Sequence, residues 1–282
     1  MGNDGVSATA VAGSDVVFNL VESPPGQPGF QVEAAAAFER LGLRITGSPS
    51  GVIAATTDKE GTRRVLGGRG VAVAPGGLFE PGRPEVLDRV PPPWILKPCL
   101  EDASLGLDDD AVTTDRAEAA AAARRLQQRF PGQPVLVEHL LPGREFNISL
   151  LADGDHVEVL HPAEMTFVDF PPDEPRIVGW KAKWDEGSFA YRHTVRRFLD
   201  DDERPLRAKI EDVARAAWAA CGLAGYGRVD LRLDEDETPR VLEVNANPCL
   251  SPDAGFAAAA HKTGHTGDTV VRRILTAAGW KP

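Results

Sequence analysis

Near the C-terminal end of the chain, four side chains that could bind ions lie within two short runs: Arg228, Asp230, Glu243 and Asn245. The runs, GRVDLRL and PRVLEVN, alternate polar and apolar residues with a period of two, which is the pattern of a β-strand. An acidic turn, DEDET, separates them, so the sequence predicts a β-hairpin. Alternate side chains of a strand point to the same side, and the four side chains therefore share one face of the hairpin.

The register of this hairpin decides which side chains meet. We expect Leu233 to pair with Arg240 across the turn. Asp230 then lies opposite Glu243, the arginine faces the asparagine, and Leu242 points to the other, apolar face. Facing carboxylates repel each other unless a cation neutralises them. Mg²⁺ prefers carboxylate and amide oxygens, so a divalent-metal site is one interpretation, and an ordinary hairpin with a solvated charged face is the other.

Composition limits the class of protein. With 282 residues, 42% of them hydrophobic, the chain can bury the cores of about two domains. A net charge of -11 without a basic stripe argues against nucleic acid or a membrane surface as a partner. The sequence has neither a long apolar run nor a secretory signal at its start, so we expect a cytoplasmic protein. The three cysteines form no CxxC motif, and we expect reduced thiols.

Periodicity and turn residues predict the elements that position the hairpin. An apolar strand at residues 16–21, followed by helices at 30–41 and 55–66, gives a βα pattern that is typical of a parallel sheet. The proline- and glycine-rich residues 74–93 predict a linker or surface loop. Further on, the patterns predict strands at 94–98, within 134–154, within 157–170 and at 191–198, a loop at 171–186, and helices at 113–130, 203–222, 256–261 and 266–279.

Five motifs in order carry a family resemblance: LKPCLEDASLG, VLVEHLLPGREFNISL, AKW, GYGRVDLRL and LEVNANPCLSPDAGF. Together they resemble the ATP-grasp superfamily and, within it, the D-alanine:D-alanine ligases, from about residue 16 to residue 275. The resemblance implies an α/β (α+β) protein with the ATP-grasp fold, in which two subdomains clasp ATP. The implied domains are a shortened N-terminal βα (pre-ATP-grasp) domain at 1–57, a central subdomain at 58–140 and a C-terminal subdomain at 141–282.

The same resemblance implies an ATP-dependent carboxylate-amine ligase that forms a peptide or amide bond through an acyl phosphate, as in peptidoglycan synthesis. The nucleotide-binding residues that it implies are lysines for the phosphates, a hinge acid and backbone groups for adenine, and a second acid for ribose. In that order they are Lys59 and Lys97, then Glu138 with His139, Leu140 and Leu141, then Glu145. Two lysines and two metal ions would offset the charge of a triphosphate.

The resemblance also implies the metal and catalytic residues. Asp230, Glu243 and Asn245 correspond to the ligands of two Mg²⁺ ions, with Mn²⁺ as the alternative metal. The implied catalytic residues have separate roles: Arg228 stabilises charge at the reacting carbon, Lys183 contacts the transferred phosphoryl group, and Ser104 contacts the γ-phosphate through its backbone N–H. The backbone N–H near Cys249 is a second candidate donor to the oxyanion.

Several departures from the ligases concern the substrate. The chain begins about 50 residues later than the resemblance expects, and Glu22 is the nearest acid that could bind an ammonium group. Trp184 stands where the family has a tyrosine, and Ala103 stands where it has the serine that this tyrosine contacts. Ala254 and Gly255 replace the serine and leucine that bind the second alanine. A lost polar contact changes the choice of substrate more than the fold.

These departures leave three functions open. The first is a ligase acting on small amino-acid-like substrates, with D-alanine as the first to test. The second is an ATP-grasp amide ligase of natural-product assembly. The third is a nucleotide-binding protein that has lost ligation. A homodimer is the one protein assembly that the resemblance suggests.

Overall fold

The computed structural model describes residues 13–80, 82 and 84–281, so the first twelve residues of the predicted N-terminal domain lie outside it. The helices are α1 (Phe30–Arg40), α2 (Ser50–Thr57), α3 (Lys59–Gly68), α4 (Val86–Arg89), α5 (Arg116–Arg129), α6 (Trp180–Trp184), α7 (Phe189–His193), α8 (Arg204–Cys221), α9 (Gly255–Thr263) and α10 (Gly267–Ala277). The strands are β1 (Gly76–Phe79), β2 (Trp94–Pro98), β3 (Val112–Thr113), β4 (Val135–His139), β5 (Glu145–Asp153), β6 (His156–Val159), β7 (Ala163–Phe167), β8 (Thr194–Phe198), β9 (Tyr226–Leu233) and β10 (Pro239–Asn245).

The first sheet has the order β1-β4-β2-β3, and all of its pairings are antiparallel. Helix α5 covers it with an alanine-rich face, in which Ala119 and Ala123 are fully buried beside Leu96 and Val137 of the sheet. The helix begins at Arg116, directly after its N-cap Asp115, because the Asp115 carboxylate accepts hydrogen bonds from two N–H groups of the first turn. This small core fixes β2 and β4, which carry Lys97 and Glu138.

The second sheet has the order β10-β9-β5-β7-β8, with β6 paired to β5, and it is also antiparallel. Helix α8 packs on it through Ile210, Ala214 and Ala217, which recur every three or four residues and are fully buried. The helix ends at Gly222, which has a φ of 70°. No helix in the described ranges is both long and apolar enough to cross a membrane.

The hairpin of β9 and β10 exists, but its predicted register is wrong at the turn. Leu233 pairs with Pro239 and not with Arg240. Further along, Asp230 still lies opposite Glu243, and the arginine still faces the asparagine. One extra residue on β10 must therefore be accommodated between the two halves of the ladder.

That residue is Leu242, which forms a β-bulge between Val241 and Glu243. A bulge breaks the strict alternation of sides, so Val241 and Val244 both enter the core. Leu242 was predicted on the apolar face opposite Glu243, and this is wrong, because both residues line the same cavity. The bulge thus keeps the two carboxylates opposed although the turn has a different pairing.

Several N-terminal predictions also need correction. The strand at 16–21 is reduced to one parallel bridge between Val17 and Ile45, because only the short segment after α1 lies beside it. Within the described ranges, every pairing of the strands named above is antiparallel, so the predicted parallel sheet is limited to isolated bridges such as this one. The helix at 55–66 is interrupted at Asp58, which has an extended ψ of 98° and caps α3 by accepting a hydrogen bond from Gly61 N.

Two predicted loops contain regular structure. Residues 74–93 include β1, which pairs with β4, and the short helix α4. Residues 171–186 include the short helix α6, which carries Lys183. In both cases the elements are only four or five residues long. Their periodicity is too short to outweigh the flanking prolines and glycines, which predict a loop.

A tight approach of two loops gives a stability prediction. Gly225 has a φ of 69°, and a Cβ there would lie 2.9 Å from Gly47 Cα. Gly42 has a similar φ of 71° with nothing within 4 Å, so it is a matched control. We expect Gly42→Ala to destabilise by about 1 kcal/mol through the left-handed backbone alone.

Gly225→Ala should lose about 1–3 kcal/mol more than the control, because backbone must also move. Urea unfolding of both variants measures the difference. Equal midpoints would show that the two loops separate without cost.

Candidate active site

A cavity of about 540 Å³ lies between the two sheets. Its walls come from β2 and β4 of the first sheet, from β5, β9 and β10 of the second, from the loop between β2 and β3 (residues 99–111, the β2–β3 loop), and from α6. All predicted site residues except Asn245 line it: Lys59, Lys97, Ser104, Glu138, His139, Leu140, Leu141, Glu145, Lys183, Arg228, Asp230 and Glu243. Residues far apart in sequence are thus brought together.

Lys59 is buried in this cavity, with only 7% of its surface exposed. Its Nζ lies 3.1 Å from Glu243 Oε1 and 3.3 Å from Asp102 Oδ1. Burial alone lowers the pKa of Lys59, but these two carboxylates outweigh it and raise the pKa above the ordinary value. The helix break at Asp58 places Lys59 at the first position of α3, where its backbone N–H donates to Cys99 O.

Glu243 and Asp230 lie side by side, and the protein's own cations balance them. Arg228 holds Asp230 in a bidentate pair, with distances of 2.7 Å and 2.9 Å. Burial tends to raise the pKa of Glu243, but Lys59, Lys183 and Arg228 lower it to about 2. The repulsion expected between facing carboxylates is therefore already relieved without a metal ion.

The donor set still fits a hard divalent cation. Asp230 and Glu243 offer carboxylate oxygens on one wall of the cavity, which are the ligands that Mg²⁺ prefers. Asn245 is opposite Arg228 in the ladder, but it does not line the cavity, and its Oδ1 accepts a hydrogen bond from Asn247 N at 2.8 Å. An amide oxygen has a second lone pair, so this bond does not prevent it from ligating.

Glu138 is the most buried of the predicted nucleotide-binding acids, with 1% of its surface exposed. Lys97 Nζ lies 2.5 Å from Glu138 Oε2, and Arg63 Nη1 donates to Oε1 at 2.6 Å. Arg63 was not predicted as a site residue, because an arginine on a helix as polar as α3 is expected to be exposed to solvent. Both Glu138 oxygens therefore meet cations within the protein.

Two of the three backbone N–H groups that follow Glu138 are already hydrogen-bonded within the protein. The N–H groups of His139 and Leu140 donate to the carbonyls of Pro75 and Pro93, each at 2.8 Å. Among the described residues, no protein acceptor receives the N–H of Leu141. Of the three backbone positions predicted to read adenine, Leu141 has the available donor.

Glu145 begins β5 and is also buried. Burial raises its pKa, and Arg232 opposes that rise, since Arg232 Nη1 lies 3.2 Å from Glu145 Oε2. Asn147, two residues further on, lines the same cavity and lies opposite Asp230 in the ladder. Asn147 was missed, although the period-two alternation from Glu145 places it on the same face.

The β2–β3 loop closes over the cavity and is bonded to the segment around α6. Ala103 and Ser104 have φ angles of 56° and 61°, a backbone that non-glycine residues seldom adopt. Ser104 Oγ donates to Val178 O at 2.6 Å, and the Trp184 indole N–H donates to Ala103 O at 2.9 Å. These bonds hold the strained turn in place.

Lys183 lies on α6 next to this contact and faces the charged wall of the cavity. Burial lowers its pKa, and the nearby Arg228 lowers it further, although neighbouring carboxylates oppose the change. An anion that binds beside Lys183 would stabilise the charged form of its side chain, which suits contact with a phosphate.

Comparisons with known proteins identify the family of the chain. The family model described as "D-ala D-ala ligase C-terminus" matches residues 83–276. The chain belongs to the D-alanine–D-alanine ligase family. It is 30% identical over 265 residues to the Sinorhizobium fredii protein named uncharacterized protein y4sG, covering 94% of this chain and 75% of that protein.

A D-alanine–D-alanine ligase of Gluconobacter oxydans is 31% identical over 249 residues, covering 88% of this chain and 75% of the ligase. The crystal structure of the Bacillus anthracis D-alanine–D-alanine ligase complexed with ATP superposes with a TM-score of 0.73 at 18% identity, covering 94% of this chain and 79% of that one. The predicted ATP-grasp fold is confirmed, and so is membership of an ATP-dependent ligase family.

The structure shows the surroundings of two sets of residues that differ from the ligase family. Trp184 and Ala103 do meet, as the family's tyrosine and serine were expected to, but the acceptor is the Ala103 backbone carbonyl. The contact therefore needs no hydroxyl at position 103. Ala254 and Gly255 line the cavity without a polar side chain.

The Trp184 contact gives a prediction. Trp184→Phe removes the indole N–H while keeping an aromatic ring, and Trp184 is 57% exposed, so folding should be little affected. We expect kcat/KM for ATP-dependent turnover to fall by about 2- to 10-fold, the worth of one hydrogen bond. Phosphate release measures it.

Trp180→Phe is the matched control, because the hydrogen bond from Trp180 to the loop is donated by its backbone N–H, to Leu107 O, and does not need the indole. The loop in Trp184→Phe should also be cut faster by protease than in the control. Identical kinetics and cleavage in both variants would rule out a role for the indole bond.

Proposed function

We propose that this chain joins the carboxylate of an amino-acid-like substrate to an amine, using ATP and passing through an acyl phosphate, with D-alanine as the first substrate to test. One observation carries the proposal: four of the six lysine and arginine side chains that line one cavity between two sheets lie there with two facing carboxylates. They are Lys59, Lys97, Lys183 and Arg228 with Asp230 and Glu243. A triphosphate and a carboxylate are both anions, and such a set lets them approach each other.

In the proposed nucleotide site, the lysines at 59 and 97 contact the phosphates. The Leu141 N–H is the donor available to adenine, and Glu145 is placed to accept from ribose hydroxyls. The Glu138 carboxylate, paired with Lys97 and Arg63, orients Lys97. A ligand that contacts Lys97 would therefore compete with an ion pair that already exists.

Asp230 and Glu243 would hold Mg²⁺, with the Asn245 amide as a third ligand. Bound there, the ion would neutralise phosphate oxygens as charge moves during transfer. Lys59 lies between Glu243 and Asp102, where its ammonium group would contact a phosphate bound in the cavity.

The proposed reaction has two steps. The substrate carboxylate attacks the γ-phosphorus of ATP, which forms an acyl phosphate and releases ADP. The amine then attacks the carbonyl carbon, and phosphate leaves. Lys183 contacts the transferred phosphoryl group, Ser104 contributes its backbone N–H from the β2–β3 loop, and Arg228 stabilises the oxyanion of the tetrahedral intermediate.

We also propose the three-part organisation at 1–57, 58–140 and 141–282, with one feature that blurs its first boundary. The two sheets fall on either side of residue 140, which supports that division. Ile53 and Leu66, from α2 and α3, both join the core of the second sheet. Assembly as a homodimer stays a prediction.

The proposal is tested by incubating the purified protein with ATP and Mg²⁺ and a panel of D- and L-amino acids. We expect amino-acid-dependent phosphate release and a new amide product by mass spectrometry. ATP binding in calorimetry without turnover on any compound would instead favour a nucleotide-binding protein that has lost ligation.

Glu243→Gln tests the metal site within the same assay. The amide has nearly the same shape but no charge, so turnover should fall at least about 100-fold, the effect of several kcal/mol at the transition state. The thermal transition should change little. Glu237→Gln, in the exposed turn of the same hairpin, is the control and should keep full activity.

Asp230→Asn should behave like Glu243→Gln. Loss of folding in both variants would mean that the paired charges of the hairpin are structural only. Added EDTA should abolish turnover of the wild type and leave its fold unchanged.

A further inference from the structure

Three protein oxygens surround the ammonium group of Lys59. Its Nζ donates to the backbone carbonyl of Glu101 at 2.5 Å. Glu243 Oε1 lies 3.1 Å from the same atom, and Asp102 Oδ1 lies 3.3 Å from it. An ammonium group has three N–H donors, so these oxygens match its donors in number. A phosphate oxygen that takes a full hydrogen bond from Lys59 must therefore replace one of them.

Asp102 is the acceptor that is easiest to replace. The Glu101 carbonyl belongs to the backbone and lies closest to Nζ. The side chain of Glu243 stands on β10, where the ladder with β9 fixes its place. Asp102 makes the longest of the three contacts, and its side chain is 35% exposed, against 21% for Glu243. Because Asp102 stands on the β2–β3 loop, moving its side chain disturbs neither sheet.

One neighbouring side chain holds the other oxygen of Asp102. Gln31 Nε2, on α1, donates to Asp102 Oδ2 at 3.2 Å. Gln31 is buried, and it lies outside the described lining of the cavity. The preceding residue of the loop is also fixed, since the Glu101 carboxylate accepts from Gly26 N at 3.2 Å and from Gln133 Nε2 at 2.5 Å. The loop backbone is thus held here, and the Asp102 carboxylate is held mainly through Lys59 and Gln31.

We propose that Asp102 competes with the nucleotide for Lys59. Its carboxylate occupies the position on Lys59 that a phosphate oxygen would take, so a phosphate binds Lys59 by displacing Asp102 and breaking its bond to Gln31. The inference rests on the proposed function, in which Lys59 contacts the phosphates. It adds to that function a residue that limits how tightly the phosphates bind.

The direction of the effect distinguishes Asp102 from an ordinary binding residue. A contact that a ligand must break lowers the affinity for the ligand by the free energy of that contact. Removing the charge of Asp102 should therefore strengthen the binding of ATP. Removing a residue that contacts the nucleotide directly would weaken it.

Asp102→Asn tests the competition by calorimetry with ATP and Mg²⁺, in the absence of an amino acid. The amide has nearly the same shape as the carboxylate but no charge, so it competes less well for Lys59. We expect the Kd for ATP to fall by about 10-fold, the worth of one hydrogen bond to a charged group. An unchanged or higher Kd would overturn the inference.

Asp110→Asn is the matched control. It removes the same charge from the same loop and also breaks an ion pair, but Asp110 is paired with Arg125 on α5, and its side chain is 57% exposed. The control should keep the wild-type Kd for ATP. A fall of equal size in both variants would show an effect of net charge alone, and the inference would be wrong.

Adenosine separates a phosphate effect from a change in the shape of the cavity. It has no phosphate, so its Kd, measured by competition with ATP, should be the same in wild type and in Asp102→Asn. An equal gain in affinity for adenosine and for ATP would contradict competition at Lys59.

Gln31→Met separates displacement of Asp102 from removal of its charge. The variant keeps the length of the side chain at 31 and the charge at 102, but it lacks the amide that holds Asp102 Oδ2. Displacement predicts a Kd for ATP about 3-fold lower, the worth of one hydrogen bond. Gln128→Met, at an exposed position on α5, should match wild type.

A Gln31→Met protein that melts and binds ATP as wild type does would show that Asp102 stays in place, which refutes displacement. If that variant does not fold, the comparison of Asp102→Asn with Asp110→Asn decides. These measurements need no amino acid, so the inference can hold in a protein that binds ATP without ligating. If wild type binds no ATP, the proposed function itself fails, and the inference falls with it.

Discussion

The need to balance two facing carboxylates inside a cavity governs the arrangement of this protein. Asp230 and Glu243 are fixed opposite each other by the β9–β10 ladder. In a partly desolvated site their repulsion is stronger than in water, and each needs a nearby cation. Arg228 comes from the same strand, but Lys59 comes from α3, far away in sequence. The helix break at Asp58 and the packing of α3 on the second sheet bring Lys59 to Glu243.

The same site shows how a contact can survive the loss of its side chains. The loop that closes over the cavity is attached to α6 through a backbone carbonyl, that of Ala103, which accepts a hydrogen bond from the Trp184 indole. Backbone acceptors do not depend on residue type, so the exchange of a serine for Ala103 costs the loop little. The left-handed backbone of Ala103 and Ser104 is tolerated because bonds from both sides hold it.

Rigid and variable parts of the fold line different cavities. The charged side chains of the cation-lined cavity stand mainly on strands, whose ladders fix their spacing. A second cavity, of about 950 Å³, is lined by the N-terminal segment, by residues 247–252 and by the last two helices, and replacements there would leave the sheets intact. The strands therefore keep the spacing of the charged side chains independently of that second cavity.

The sequence by itself determined the hairpin, most helices and the family, and it picked out lysines and acids that line one cavity, because alternation and motif order are local signals. It could not determine the bulge at Leu242, since a bulge depends on packing by both flanking valines. Arg63 and Asn147 were not predicted as site residues. The strand predicted at residues 16–21 is an isolated bridge at Val17 in the structure. The second cavity was decided by tertiary structure alone, because its walls come from the two ends of the chain and meet only when both pack beside β9.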